Sequence, residues 1–362
     1  MNILLITLEY SPQKGGVASY YAGLMSELAH QGHQVKIVSE KLLYKWFWPR
    51  WLKAYFLLRA AIKKEKPDII FVGHLLPLGT VAYLLRKRVS YCVFLHGMDI
   101  LLAQKSRRKQ WLTKKILLNA KIIVTNSEFT KEQVKKLEIG NCLPAGEAGK
   151  LEIGTVYPCP TISTNVLTEQ IESLRRKLGL SGKKIMLTLG RVVERKGHDI
   201  VIKAMPEIIQ HMPDIVYIIA GAGPYLEKLT QLVENLELQP YVRFVGQIAD
   251  EERSAYYALC DIFVTPSRQI GPDVEGFGLS FIEAALFGKP SIGGKSGGVP
   301  EAILDGQTGA LVDPTDVSEL ARAVVQLLRD DKLRYELGQN AKARAIHEFN
   351  WTKQTKKLSQ LL

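Results

Sequence analysis

Short apolar runs alternate along this chain with longer stretches of helical periodicity. Ile3 to Leu8 is followed by a helical pattern from Val17 to His30 and then by Val35 to Val38, the alternation expected of parallel strands joined by crossover helices. A second series opens at Lys184-Ile-Met-Leu-Thr-Leu189 and continues through Ile215-Val-Tyr-Ile-Ile-Ala220, Val242-Arg-Phe-Val245 and Asp261-Ile-Phe-Val-Thr265. Two such series predict an α/β fold class with two doubly wound, Rossmann-like domains. Between them, Tyr157-Pro-Cys-Pro160 and a polar stretch to Asn165 stop any helix and favour an extended linker. The hinge is placed near residue 163, with a first domain over 1–163 and a second over 164–348. Residues 349–362 read as a Lys-rich amphipathic helix, expected to pack back on the first domain.

A chain of 362 residues, 46% apolar and 23% charged, suits two soluble globular domains, each able to bury a core. Cys92, Cys142, Cys159 and Cys260 form no Cys-x-x-Cys pair and have no histidine at zinc-finger spacing, so reduced cytosolic thiols and no metal site are expected. The first residues lack the pattern of a signal peptide, and no apolar run is long enough to cross a membrane. Charge changes the picture more. Residues 1–163 hold 24 Lys and Arg against 11 Asp and Glu, and the remainder holds 24 against 25. The basic first half points to an anionic partner or surface, although basic surfaces also serve solubility. Its Lys41-Leu-Leu-Tyr-Lys-Trp-Phe-Trp-Pro-Arg-Trp-Leu-Lys-Ala-Tyr-Phe56 and Lys105-Ser-Arg-Arg-Lys-Gln-Trp111 mix aromatics with cations, as anionic membrane interfaces favour. The competing reading packs those rings into the core beneath a solvated helix face.

Candidate chemistry lies at the predicted strand ends. The first strand leads through Gly15 and Gly16 into a helix, where free N–H groups can meet an anion, or where the glycines simply make a tight turn. In the second half, Gly190-Arg191-Val-Val-Glu-Arg195-Lys196-Gly197 follows a strand directly. A guanidinium fork at Arg191 and a mobile ammonium at Lys196 suit a diphosphate, and Gly223 in Gly221-Ala-Gly223-Pro224 is expected to line the same crevice. Asp273-Val-Glu275-Gly-Phe277-Gly278-Leu279-Ser280 to Glu283 predicts a loop carrying Glu275 and a helix from Leu279 or Ser280 carrying Glu283. Two separated carboxylates and a row of helix N–H groups can hold hydroxyls and phosphate together. The alternative is plain charge capping of the helix.

These motifs, with Gly32-His33, His96-Gly97 and Gly297-Gly298-Val-Pro-Glu301, run in one order over nearly the whole chain, which therefore resembles glycosyltransferase family 4. The resemblance implies the GT-B fold, two Rossmann-like domains facing each other across a cleft, the first for the acceptor and the second for a nucleotide diphosphate sugar. It implies that Glu275 holds donor-sugar hydroxyls and that Glu283 binds the ribose. Arg191 and Lys196 would clamp the diphosphate with the N–H groups of Phe277, Gly278 and Leu279, and His96 would touch the sugar beside the reacting carbon. Front-face substitution with retention and no metal or other cofactor follows from the same resemblance. The stretch from Gly190 to Ile209 resembles mannosyltransferases with lipid acceptors, so GDP-mannose is the first expectation for the donor and UDP-hexose the second. The hinge departs from the family by lacking glycine and is expected to be stiffer.

The expected acceptor is a lipid-linked sugar or a glycan of the cell envelope, met at the inner face of the plasma membrane by a cytoplasmic, peripheral enzyme. A catalytically inactive sugar-nucleotide sensor would carry the same motifs. No nucleic-acid partner is expected, since helix-turn-helix, zinc and RNA-sheet signatures are missing. One oddity remains: Lys136-Leu-Glu-Ile-Gly140 recurs as Lys150-Leu-Glu-Ile-Gly154. The stretch from Asn141 to Gly154 is read as a functionally neutral surface-loop insertion.

Overall fold

A computed structural model describes residues 1–13, 15–137 and 152–362. The chain divides into two compact units, Met1–Cys159 with Asn350–Leu362, and Pro160–Phe349.

Unit 1 is built on a parallel sheet. Its strands are β1 (Asn2–Ile6), β2 (Gln34–Val38), β3 (Ile69–Val72), β4 (Ser90–Leu95), β5 (Ile122–Thr125) and β6 (Glu152–Thr155), in the order β2-β1-β3-β4-β5-β6. Alternate residues of β1 face opposite layers. Ile3 and Leu5 join Tyr20, Tyr21 and Leu24 of α1 (Gly16–His30), whereas Leu4 and Ile6 join Leu58 of α2 (Leu52–Glu65), Leu78 of α3 (Leu78–Leu85) and Ile116 of α5 (Arg107–Leu118). Short helices α4 (Met98–Gln104) and α6 (Glu128–Lys135) follow β4 and β5. Burial on both faces is why β3, Ile69-Ile-Phe-Val72, is an unbroken apolar run.

β6 corrects the surface-loop expectation for the last residues of the repeated segment, Glu152 to Gly154. Glu152, Ile153 and Gly154 pair in parallel with Ile122, Ile123 and Val124, so the second copy of the repeat supplies the sixth strand and not a loop. A side chain at Gly154 would collide with Leu361. Deleting Asn141 to Gly154 would join Gly140 to Thr155 and so leave the same Lys-Leu-Glu-Ile-Gly text ahead of Thr155. Residues 138–151, which include the rest of that stretch, lie outside the described residues.

Unit 2 repeats the plan. Its strands are β7 (Lys184–Leu189), β8 (Ile215–Ala220), β9 (Val242–Gly246), β10 (Ile262–Thr265), β11 (Ser291–Gly294) and β12 (Gly309–Val312), in the order β12-β11-β10-β7-β8-β9. The crossover helices begin with α7 (Thr168–Lys177), α8 (His198–His211), α9 (Leu226–Asn235) and α10 (Arg253–Leu259). They continue with α11 (Leu279–Leu286), α12 (Val299–Ala302), α13 (Val317–Arg329) and α14 (Asp331–Glu348). α8 and α13 cover one face through Val201, Met205, Ile208, Leu320 and Val324.

The helix after α14, α15 (Trp351–Leu361), belongs to unit 1. Asn350 caps it by accepting the Lys353 N–H at 2.9 Å. Leu358 is fully buried in the α1 layer, and the Trp351 indole lies where a side chain at Gly23 would be. Among the described residues no helix is long and apolar enough to cross a membrane.

Candidate functional site

Open parallel sheets bind ligands beyond the carboxyl ends of their strands, where the strand order reverses. In unit 2 that point lies between β7 and β10. After β7, a single 3-10 turn over Glu194–Lys196 ends at Gly197, whose left-handed φ of 73° begins α8. A Cβ on Gly197 would sit 2.3 Å from the Pro266 carbonyl oxygen, so only glycine lets this turn pack on the segment after β10. The turn directs Arg195 and Lys196 toward the loop that follows β10. Arg195 donates from Nε to Asp273 Oδ1 at 2.9 Å and from an Nη to Glu275 Oε2 at 2.6 Å, and Lys196 Nζ donates to the same Oε2 at 2.7 Å. Both cations therefore converge on one oxygen. Glu275 Oε1 accepts no hydrogen bond among the described residues.

Charge explains the state of this cluster. Burial alone would raise the Glu275 carboxyl, but Lys196 and Arg195 outweigh it and bring it from 4.5 to about 2. Burial lowers the Lys196 ammonium from its ordinary value; Arg195 and Arg191 push the same way, against the pull of Glu275. Glu275 is thus an anion, an acceptor only, throughout the physiological range. A carboxylate with a depressed value contributes stability that is complete above the unfolded value, 4.5, and is lost as pH falls through about 2. Denaturant titrations stepped from pH 6 to pH 2 are expected to lose on the order of 3 kcal/mol to this group. Glu275→Gln should flatten that limb.

The other donor residues predicted in the second half lie on the segments that follow β7, β8 and β10. Arg191 is exposed and in no ion pair among the described residues. A Cβ on Gly190 would touch Lys196 Cε at 3.9 Å, and one on Gly223 would strike the Val192 carbonyl oxygen at 2.2 Å. Phe277 is buried against Phe349, with ring centroids 5.3 Å apart. Gly278, left-handed at φ 99°, caps α11, so Leu279 begins the helix as the pattern predicts. Glu283 lies one turn in and is only 4% exposed. The carboxylate is held by Arg253 Nη2, at 2.6 Å from Oε1 and 2.5 Å from Oε2, and by the Tyr257 hydroxyl at 2.7 Å from Oε2.

Three of these side chains are not marked by any pattern in the sequence. Arg195 stood inside the noted motif, but nothing in the motif distinguishes it from Arg191 before the 3-10 turn is known. Arg253 and Tyr257 reach Glu283 across 30 and 26 residues, a separation that leaves no local pattern.

In unit 1 the strand order reverses between β1 and β3. Gly15 and Gly16 begin α1 there, and a Cβ on Gly15 would lie 3.7 Å from a Glu9 carboxylate oxygen. His96 follows β4. The Tyr21 hydroxyl donates to the Gly73 carbonyl at 2.9 Å, so it accepts from His96 Nε2 at 2.7 Å and fixes that tautomer. Burial, with His74 nearby, lowers the His96 imidazole to about 3 and keeps it neutral. His74 Nδ1 accepts the Leu8 N–H at 3.3 Å, and its Nε2 lies 3.5 Å from Glu9 Oε1.

Comparison with known proteins bears on the family and the fold. A family model described as glycosyl transferases group 1 matches residues 170–344, and one described as Glycosyltransferase Family 4 matches residues 14–141. The chain is 27% identical to a GDP-mannose-dependent alpha-(1-6)-phosphatidylinositol monomannoside mannosyltransferase of Mycolicibacterium smegmatis, over 99% of this chain and 98% of the relative. Among solved structures, sucrose-phosphate synthase from Thermosynechococcus elongatus superposes with a TM-score of 0.81 at 23% identity, over 99% of this chain and 98% of that one. Anabaena HepE in complex with UDP-glucose superposes at 0.79 with 21% identity, over 100% and 99% of the two chains.

Proposed function

We propose, from the premise that the chain belongs to glycosyltransferase family 4, that it transfers mannose from GDP-mannose, with retention, to a lipid-linked sugar or glycan acceptor. The fold is that of the GT-B glycosyltransferases and the chain is a glycosyltransferase; donor, stereochemistry and acceptor belong to the proposal. The convergence of Arg195 and Lys196 on Oε2 of Glu275 at the strand-order reversal of unit 2 carries it. Two cations stand ready for a diphosphate, and Oε1 is left to accept a hydroxyl of the sugar beside it.

In this mechanism the bond between the anomeric carbon and the diphosphate oxygen lengthens while the acceptor hydroxyl approaches on the same face. The departing phosphate oxygen takes that hydroxyl's proton. Lys196, Arg195 and the exposed Arg191 stabilise the charge growing on the diphosphate, with the first-turn N–H groups of α11. These fixed cations do the work that a metal does elsewhere, so the reaction proceeds with no cofactor. His96 of unit 1 is neutral, so it can serve as a hydrogen-bonding group and not as an acid. Glu283 takes the ribose.

GDP-mannose is favoured because the full-length relative in M. smegmatis uses it, and UDP-hexose stands second. The acceptor reading rests on unit 1. Residues 41–115 hold 17 Lys and Arg against three Asp and Glu. Trp46 is 99% exposed, Trp48 86% and Trp111 62%, so these rings do not pack in the core. Lys115 Nζ lies 5.8 Å from the Trp111 ring centroid. Exposed indoles among cations suit an anionic bilayer surface, where a lipid-linked acceptor of envelope glycolipid or polysaccharide synthesis would be met from the cytoplasmic side.

Release of free nucleoside diphosphate from GDP-mannose and from UDP-hexoses, with and without vesicles carrying phosphatidylinositol mannosides, tests the reading. The largest acceptor-dependent release is expected with GDP-mannose. Binding of donor without release under any condition would make the chain a sensor.

A further inference from the structure

Glu283 is the most deeply buried carboxylate of the unit 2 site, and its surroundings leave it little freedom. A carboxylate offers about four lone-pair positions over its two oxygens. Arg253 Nη2 occupies one on each oxygen, and the Tyr257 hydroxyl occupies a second on Oε2. Oε2 is then full. Oε1 keeps one position.

The holder is itself held. Tyr257 is buried, with its ring stacked on Phe287 at 5.9 Å and tilted against Phe263 at 5.7 Å. Arg253 is the first residue of α10, and its neighbour Ser254 donates from Oγ to the Ser163 carbonyl at 2.7 Å. Arg253 Nε is buried with no partner among the described residues, a donor left unmet while Nη2 lies across Glu283. The nearest other carboxylate, Asp250, stands 4.0 Å from Nη1, too far for a strong hydrogen bond.

We infer that Arg253 is a positioning residue for the nucleotide: with Tyr257 it turns Glu283 so that only Oε1 faces the ribose, and Glu283 therefore accepts one ribose hydroxyl and not two. The inference rests on the reading of unit 2 as the donor site. Recognition through a single acceptor position makes the site sensitive to the loss of one hydroxyl and indifferent to the loss of the other. Without the guanidinium the carboxylate is free to rotate, and the difference between the two hydroxyls fades.

Calorimetric titration of the full chain with GDP, 2′-deoxy-GDP and 3′-deoxy-GDP, and with the matching uridine nucleotides, tests this. In the wild type, one deoxy analogue is expected to bind at least tenfold more weakly than the parent nucleotide and the other within threefold. Arg253→Leu should bring the two analogues to within threefold of each other, and Arg253→Lys should restore part of the difference. If Arg253→Leu does not fold, Tyr257→Phe takes its place, with the difference falling about threefold as Oε2 regains a position. Equal losses for both analogues in the wild type, or an unchanged difference in the folded variant, would overturn the inference alone. No binding of either GDP or UDP by the wild type would remove the donor-site reading with it.

Discussion

Lys196→Ala is expected to lower turnover about a thousandfold while the protein stays folded. The ammonium is 11% exposed and lies 2.7 Å from Glu275, at the place assigned to the leaving diphosphate. A preorganised charge acting on a developing oxyanion in a site of low polarity contributes about 3–4 kcal/mol, two to three orders of magnitude in rate. The fold should survive because Arg195 still holds Glu275 at 2.6 Å and Asp273 at 2.9 Å, so no carboxylate is left unpaired. Saturation kinetics with the preferred donor, beside circular dichroism, measure both parts. A fall in kcat with the donor KM nearly unchanged is the signature of charge felt mainly in the transition state. Near-normal turnover would remove the cluster from the mechanism.

The second large effect concerns the surface of unit 1. Replacing Trp46 and Trp48 together by serine is expected to weaken binding to phosphatidylglycerol vesicles about a hundredfold. Each fully exposed indole that enters an interface gains on the order of 1.4 kcal/mol from apolar burial, a factor of ten. Flotation against phosphatidylglycerol and phosphatidylcholine vesicles separates the two forces. The cations favour the anionic lipid, and raised salt should erode that preference while leaving the tryptophan contribution in place. Neither residue packs in the core, so thermal stability should not change. A wild type that floats with neither lipid ends the membrane reading.

The elements that could be read from sequence are those whose signal is local. β7 and β8 are legible to the residue, because buried parallel strands are continuous apolar runs, and Gly278 announces the start of α11. The second carboxylate, Glu283, is legible as one turn inside that helix. What could not be read depends on strand order. Arg195 meets Glu275 because β10 lies beside β7, which places residues 80 apart within 2.6 Å. The sequence favours Arg191, the first arginine after the strand, whereas the backbone turns Arg195, the sixth residue after it, inward. The repeated Lys-Leu-Glu-Ile-Gly is ambiguous in another way. As text it reads as an insertion with duplicated flanks and does not say which copy belongs to the sheet; in space Glu152-Ile-Gly154 of the second copy pairs with β5.

The chain order of the parts has a consequence for synthesis. Unit 2 is one continuous segment, Pro160–Phe349, whereas unit 1 takes its last helix from Asn350–Leu362. On the ribosome, the sheet made first must wait, with the α1 face around Gly23 and Tyr20 uncovered, until Trp351 and Leu358 emerge. At about 5–20 residues per second that interval is roughly 10–40 s. The half translated second completes its own hydrophobic layer first, and the half translated first is the one whose apolar face stays open the longer.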